Sequence, residues 1–174
     1  MLKAKYLVSI VLFFTLSAGL HSLSLAQSSS NEDLEKAPDF EVTTLEGNSV
    51  SLEKSVEENK PMVVYFTASW CPTCAKNWPV FSELYPEYRD DLNFISISID
   101  PTDTKEVISN LVEEEGITYP STWGHPNIMV DFGVQAQATT VGINRDGYIE
   151  FVKSNTALSK EEYQALFDQL VSAS

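Results

Sequence analysis

Two periodicities divide this chain. Residues 61–67 (PMVVYFT) form an unbroken apolar run with β-branched and aromatic content, the pattern of a strand buried on both faces. Residues 92–100 (LNFISISID) set Phe94, Ser96 and Ser98 against Ile95, Ile97 and Ile99, which predicts a second strand. Helical spacing takes over elsewhere. From Cys71 to about Arg89 the residues Trp78, Phe81, Leu84, Tyr85 and Tyr88 recur on one helix face, with a kink expected at Pro79. Residues 101–116 carry helix start and stop signals, Thr102 or Asp103 as cap and Gly116 at the end. Residues 159–173 read as a closing amphipathic helix with a capping box from Ser159 and Glu162. Two hairpins complete the series. One spans 37–52 about Glu46-Gly47-Asn48 and leads into a short helix capped by Ser51; the other spans 139–153 about Arg145-Asp146-Gly147. Hairpin, strand, helix, strand, helix, hairpin, helix is the order of an α/β domain with a mixed sheet.

The N-terminus stands apart from that domain. Lys3 and Lys5 precede a stretch of 15 apolar-rich residues, YLVSIVLFFTLSAGL, and Ser24 and Ala26 have the small side chains a signal peptidase accepts. The stretch is short for a membrane span, which needs about 20 residues. Residues 1–26 are therefore expected to be a signal peptide, with an uncleaved N-terminal membrane anchor as the alternative. Residues 27–36 (QSSSNEDLEK) read as a polar linker and 37–174 as the domain. Both readings place the domain outside the cytoplasm.

Composition is that of an ordinary globular protein, 43% hydrophobic and 11% aromatic, so charge is the informative quantity. Net charge is −14; removal of Lys3 and Lys5 leaves 9 basic against 25 acidic residues, a balance of −16. Nucleic acid and anionic lipid both require basic patches, so neither is an expected partner.

The two cysteines, Cys71 and Cys74, are the only ones in the chain. In an exported protein they allow a structural disulfide, half of a metal site or a redox pair. A bridge closing so short a loop constrains the unfolded chain little and makes a poor staple. Cys71 falls where the strand at 61–67 gives way to the helix. Unpartnered first-turn N–H groups there stabilise a thiolate and should bring its pKa below the free value of about 8.5. Cys74, three residues on, lies on the same helix face, and Pro72 needs no N–H partner at a helix start. That is the layout of a reversible dithiol in which Cys71 attacks and Cys74 resolves.

At these residues the chain resembles a family. WCPTC with Pro79 five residues after the second cysteine, set among APDFEVTTLEGNSVSL, PMVVYFTASWCPTC, FISISID, EEGITYPSTW and FGVQAQATTVGINRDGYIEF, is similar to the extracytoplasmic, TlpA/ResA-like thiol–disulfide oxidoreductases. The likeness covers about residues 37–172. It implies a thioredoxin-like fold, a mixed central sheet flanked by helices with an N-terminal β-hairpin extension. It implies catalytic Cys71 and Cys74, and substrate contacts from Trp70, Pro72, Ala138 and Thr139. The implied partners are cysteine-containing exported proteins and a redox partner that recycles the dithiol. The protein is expected to act as a monomer without cofactor or bound metal.

Three positions depart from the family's pattern. QATT places Ala138 where a cis-proline is usual; a non-proline cis bond costs about 2.5–4 kcal/mol, so a trans peptide or a rearranged loop is expected. On that alignment Ala138→Pro should raise exchange activity. Tyr65 stands where thioredoxins carry a buried aspartate, and Asn77 where ResA-like proteins often have a glutamate.

Two other readings share these residues. Sco-like copper proteins bind metal with two cysteines and a distant histidine, which here would be Cys71, Cys74 and His125; their cysteines usually have three residues between them, against two here. Peroxiredoxins often begin APDF but need a threonine three residues before the reactive cysteine, where this chain has Ala68, and they have no thiol at the place of Cys74. The peroxidase reading is set aside on those grounds.

Overall fold

The computed structural model of the protein describes residues 31–173. The expected signal segment lies outside them. The order is β1 (Glu41–Thr43), β2 (Ser49–Ser51), α1 (Leu52–Glu57), β3 (Met62–Thr67), α2 (Cys74–Tyr88), β4 (Asn93–Ser98) and α3 (Lys105–Glu115). There follow β5 (Ser121–Thr122), α4 (Pro126–Asp131), β6 (Thr139–Ile143), β7 (Ile149–Lys153) and α5 (Lys160–Ser172).

The apolar run at 61–67 becomes β3, the middle of a five-stranded sheet of order β5-β4-β3-β6-β7. β4 pairs parallel with β3, and β5 with β4, while β6 runs antiparallel to β3 and β7 to β6. Alternate side chains of β3 feed two cores. Val63 and Tyr65 face α2 and α5; Met62, Val64 and Phe66 face the hairpin, α1 and α4. Phe81 of α2 is the hub of the first core, its ring centroid 4.5–6.2 Å from those of Tyr65, Phe94, Tyr119, Tyr163 and Phe167. Truncating such a ring to alanine costs about 3–5 kcal/mol.

β1 and β2 form the expected hairpin as a separate two-stranded sheet, with Gly47 at φ +89 in its turn. It covers the β5 edge: Leu45 N–H donates to Ser121 O at 2.9 Å, and Thr122 Oγ donates to Thr43 O at 2.8 Å. Ser51 caps α1 by accepting from Lys54 N–H, and Ser159 and Glu162 form the capping box of α5.

Several expectations are corrected. The helix after the cysteines starts at Cys74, not Cys71, with Pro79 inside it as expected. α3 is capped by Thr104, whose hydroxyl accepts from Val107 N–H, not by Thr102 or Asp103. β5 and α4 went unforeseen; two and six residues are too few to show a period. Residues 31–36 lie against the β6–β7 hairpin: Asn31 bonds Asp146 and Asn144, Glu35 O accepts from Ile149 N–H, and Lys36 bridges Tyr148.

Candidate active site

Three loops meet where the parallel strands β3, β4 and β5 end. The first carries the cysteines. After β3, Ala68 is fully buried and its carbonyl accepts from Cys71 N–H at 3.1 Å, turning the chain toward α2. Cys71 and Cys74 are joined by a disulfide, with Cα atoms 5.2 Å apart, and both are buried.

Cys71 performs the work of a helix cap although it precedes the helix. Its carbonyl accepts from Ala75 N–H at 3.1 Å, and its Sγ accepts from Cys74 N–H at 3.1 Å. A capping oxygen normally takes that donor; Thr73, at the helix boundary, makes no side-chain cap bond. When the disulfide is reduced, the same N–H and the positive end of α2 favour a thiolate on Cys71. The electrostatics expected of residue 71 are thus present one turn-step ahead of the helix.

Trp70 and Pro72 flank Cys71 on the surface. Trp70 is 59% exposed, yet its Nε1–H is held by Asp100 Oδ2 at 2.5 Å. Asp100 also accepts from Thr102 Oγ at 2.7 Å and Thr102 N–H at 2.8 Å. Bonds from Thr102 first, then Trp70, hold its carboxyl below the usual carboxylate range.

Ala138 packs in the same buried cluster as Cys71 and Cys74. No cis peptide occurs among the described residues, and Ala138 is left-handed at φ +56. The loop is therefore rearranged as well as trans. Thr139 is fully buried, and its hydroxyl is committed to the loop: it donates to Ala136 O at 2.8 Å and accepts from Asn155 N–H at 3.2 Å.

The two positions lacking a carboxylate face each other. Asn77 Nδ2 donates to Tyr65 Oη at 3.2 Å and to Thr156 O at 2.9 Å, and its Oδ1 is buried without a partner. Burial pushes the Tyr65 hydroxyl far above its ordinary pKa, so the pair stays neutral. The sequence marked both residues; it carried no signal that they touch.

His125 lies in the third loop, at the start of α4. Its backbone N–H donates to Ser98 O at 2.7 Å, its ring is 5.8 Å from that of Trp123, and its Nε2 is buried without a partner. Burial lowers its pKa. Among the described residues no group of three or more His, Cys, Asp or Glu side chains is placed to hold a metal ion. Thr67, the threonine nearest a peroxidase position, turns its hydroxyl to Trp78, whose Nε1–H it accepts at 3.1 Å.

The AhpC/TSA family matches residues 34–152. Thioredoxin-like protein YneN of Bacillus subtilis (strain 168) is 27% identical over 172 residues, 95% of this chain and 98% of its own. Thiol-disulfide oxidoreductase ResA of Bacillus thuringiensis subsp. konkukian (strain 97-27) is 30% identical over 132 residues, 74% of each chain. A thiol:disulfide interchange protein of the thioredoxin family from Chlorobium tepidum TLS shares the fold at a TM-score of 0.70 and 20% identity, over 82% of this chain and 99% of its own. The family match covers most of the domain and the bonded pair sits at the head of α2, so the chain belongs to the AhpC/TSA family, among its thioredoxin-like thiol–disulfide oxidoreductases.

Proposed function

We propose that this protein exchanges disulfides with cysteine-containing exported proteins outside the cytoplasm, cycling between the Cys71–Cys74 disulfide and its dithiol. The observation that carries the reading is the Cys74 N–H donated to Cys71 Sγ, which gives one sulfur of the pair the helix-start environment of a stabilised thiolate. In the reducing direction, the Cys71 thiolate attacks one sulfur of a partner disulfide and the other partner sulfur leaves as a thiolate. The deprotonated Cys74 sulfur then attacks Cys71 Sγ, forming the Cys71–Cys74 disulfide and releasing the second partner thiolate. Two electrons pass to the partner, and a separate thiol donor restores the dithiol; the oxidising direction reverses each step.

The exposed Trp70 and Pro72 would form the rim on which a partner strand lies, while Ala138 and Thr139 are buried and would act from within the loop rather than by direct contact. The neutral Tyr65–Asn77 pair offers no carboxylate, so the Cys74 proton leaves through water. The export pattern in residues 1–26 supports the location, and N-terminal sequencing of the native protein should begin at Gln27. Cys71→Ser should abolish exchange with oxidised glutathione and with protein disulfides, while Cys74→Ser should accumulate mixed disulfides. Full activity in Cys71→Ser would refute the proposal.

A further inference from the structure

Asp103 is a carboxyl group with only 3% of its surface exposed, and it takes part in no ion pair among the described residues. Burying such a group is costly unless its oxygens are satisfied. Here they are. Oδ2 accepts from Ser69 N–H at 2.9 Å and from the Ser98 hydroxyl, and Oδ1 accepts from the Ser69 hydroxyl at 2.6 Å. The backbone of Asp103 is also tied on both sides: its N–H donates to Asp100 O at 3.0 Å, and its carbonyl accepts from Gly124 N–H at 2.9 Å. One residue thus joins all three loops at the ends of β3, β4 and β5.

Helix capping does not account for it, because Thr104 caps α3. What Asp103 holds is Ser69, two residues ahead of Cys71, through both its backbone N–H and its hydroxyl. Two residues span about 7 Å at most, so a displaced Ser69 moves Cys71 with little slack. It would shift Cys71 Sγ off the Cys74 N–H and turn Trp70 away from Asp100.

We infer that Asp103 is a positioning residue for thiol exchange, fixing the Ser69–Trp70 step so that Cys71 stays on the donor that stabilises its thiolate. The inference rests on the thiol-exchange reading above. It separates position from charge. In Asp103→Asn the amide oxygen can keep both bonds of Oδ2, and the NH2 can donate to the Ser69 hydroxyl. Geometry is retained and charge lost. Asp103→Glu keeps the charge and displaces it by a methylene; Asp103→Ala removes all three side-chain bonds and leaves the backbone ones.

The test measures exchange with oxidised glutathione, alkylation of Cys71 in a Cys74→Ser background, and thermal melting. Asp103→Asn should exchange and alkylate within about 1.5-fold of wild type. Asp103→Ala and Asp103→Glu should be at least tenfold slower while still folded, a barrier increment of about 1.4 kcal/mol. Wild-type rates in folded Ala or Glu variants would overturn the inference, as would an Asn variant as slow as the Ala variant, which would make charge the cause. If Ala and Glu do not fold, Ser69→Ala, which removes one of the three bonds, should slow alkylation about threefold; an unchanged rate overturns the inference. A wild-type protein that does not exchange at all refutes thiol exchange itself, whereas an active wild type with indifferent variants refutes only the role of Asp103.

Discussion

Ala138 gives a sharp test of how the loop opposite the dithiol is built. Its φ of +56 places an L-residue in the left-handed region, a cost of about 1–2 kcal/mol. The loop holds it there: Ala138 is fully buried, and its carbonyl accepts from Thr156 N–H at 3.0 Å. Glycine relieves the strain, but it adds about 0.5–1 kcal/mol of chain entropy to lose and removes a buried methyl worth about 0.8 kcal/mol. These terms nearly cancel, so Ala138→Gly should lie within about 1 kcal/mol of wild type. Proline is fixed near φ −65 and cannot adopt this backbone at all. Ala138→Pro must rebuild the loop and give up the Thr156 bond, for a loss of about 3 kcal/mol or more, which is a fall of roughly 6–12 °C in Tm. The sequence-based expectation that proline would improve exchange is therefore revised: with the loop displaced from beside Cys71, exchange should slow. Urea unfolding of the oxidised protein and exchange with oxidised glutathione give both quantities. An Ala138→Pro protein within 1 kcal/mol of wild type, exchanging as fast, would refute the reasoning.

Three further outcomes follow from other residues. His125 has a folded pKa lowered by burial, so its contribution to stability is complete above the unfolded value of about 6.5 and is lost as pH falls through that value toward the folded one. The midpoint of urea unfolding should decline between pH 7 and pH 5.5, and His125→Asn should flatten that decline; an equal slope in both proteins refutes it. Asn77→Asp would place a carboxyl beside Thr156 O, where burial raises its folded pKa; stability should hold at pH below about 3.9 and fall as pH rises through the folded value, by about 2 kcal/mol or more at pH 8 in urea unfolding. Arg145 donates to Val171 O at 2.6 Å, to Ala173 O and to Asn59 O at 3.2 Å, tying the end of α5 to the hairpin turn, so Arg145→Ala should lower unfolding stability by about 2 kcal/mol, against less than 0.5 if the guanidinium is idle.

What the sequence revealed and what it hid differ by range. β3, β4, α2 and α5 each run long enough for an apolar run or a period to emerge, and their buried apolar residues enter the two cores. Cys71 was placed between strand and helix because the apolar run ends only a few residues before it, although the helix itself begins at Cys74. Short elements were read only where a turn or a cap announced them, as for β1, β2 and α1, and β5 and α4 were missed. β5 has two residues, held by the edge of β4 and by the hairpin, and α4 has six with none buried. Conformation and pairing were hidden as well: alanine does not announce a positive φ, and Tyr65 and Asn77 meet only because a strand and a helix are packed together.

Asp103 shows the mechanism of such a miss most plainly. A short polar residue just ahead of a helical stretch is rewarded by the cap rule; Thr102 or Asp103 was expected on that ground, and Thr104, which was passed over, satisfies the rule equally. The chain resolves that degeneracy by giving the cap to Thr104, the residue adjoining Lys105. The Asp103 carboxyl is thereby released to donors 34 residues away, at Ser69. No local rule could rank the three candidates, because the deciding term is the burial of a carboxyl group beside the active loop. A charged residue that satisfies a local rule redundantly with its neighbours is therefore a residue whose long-range partner should be sought.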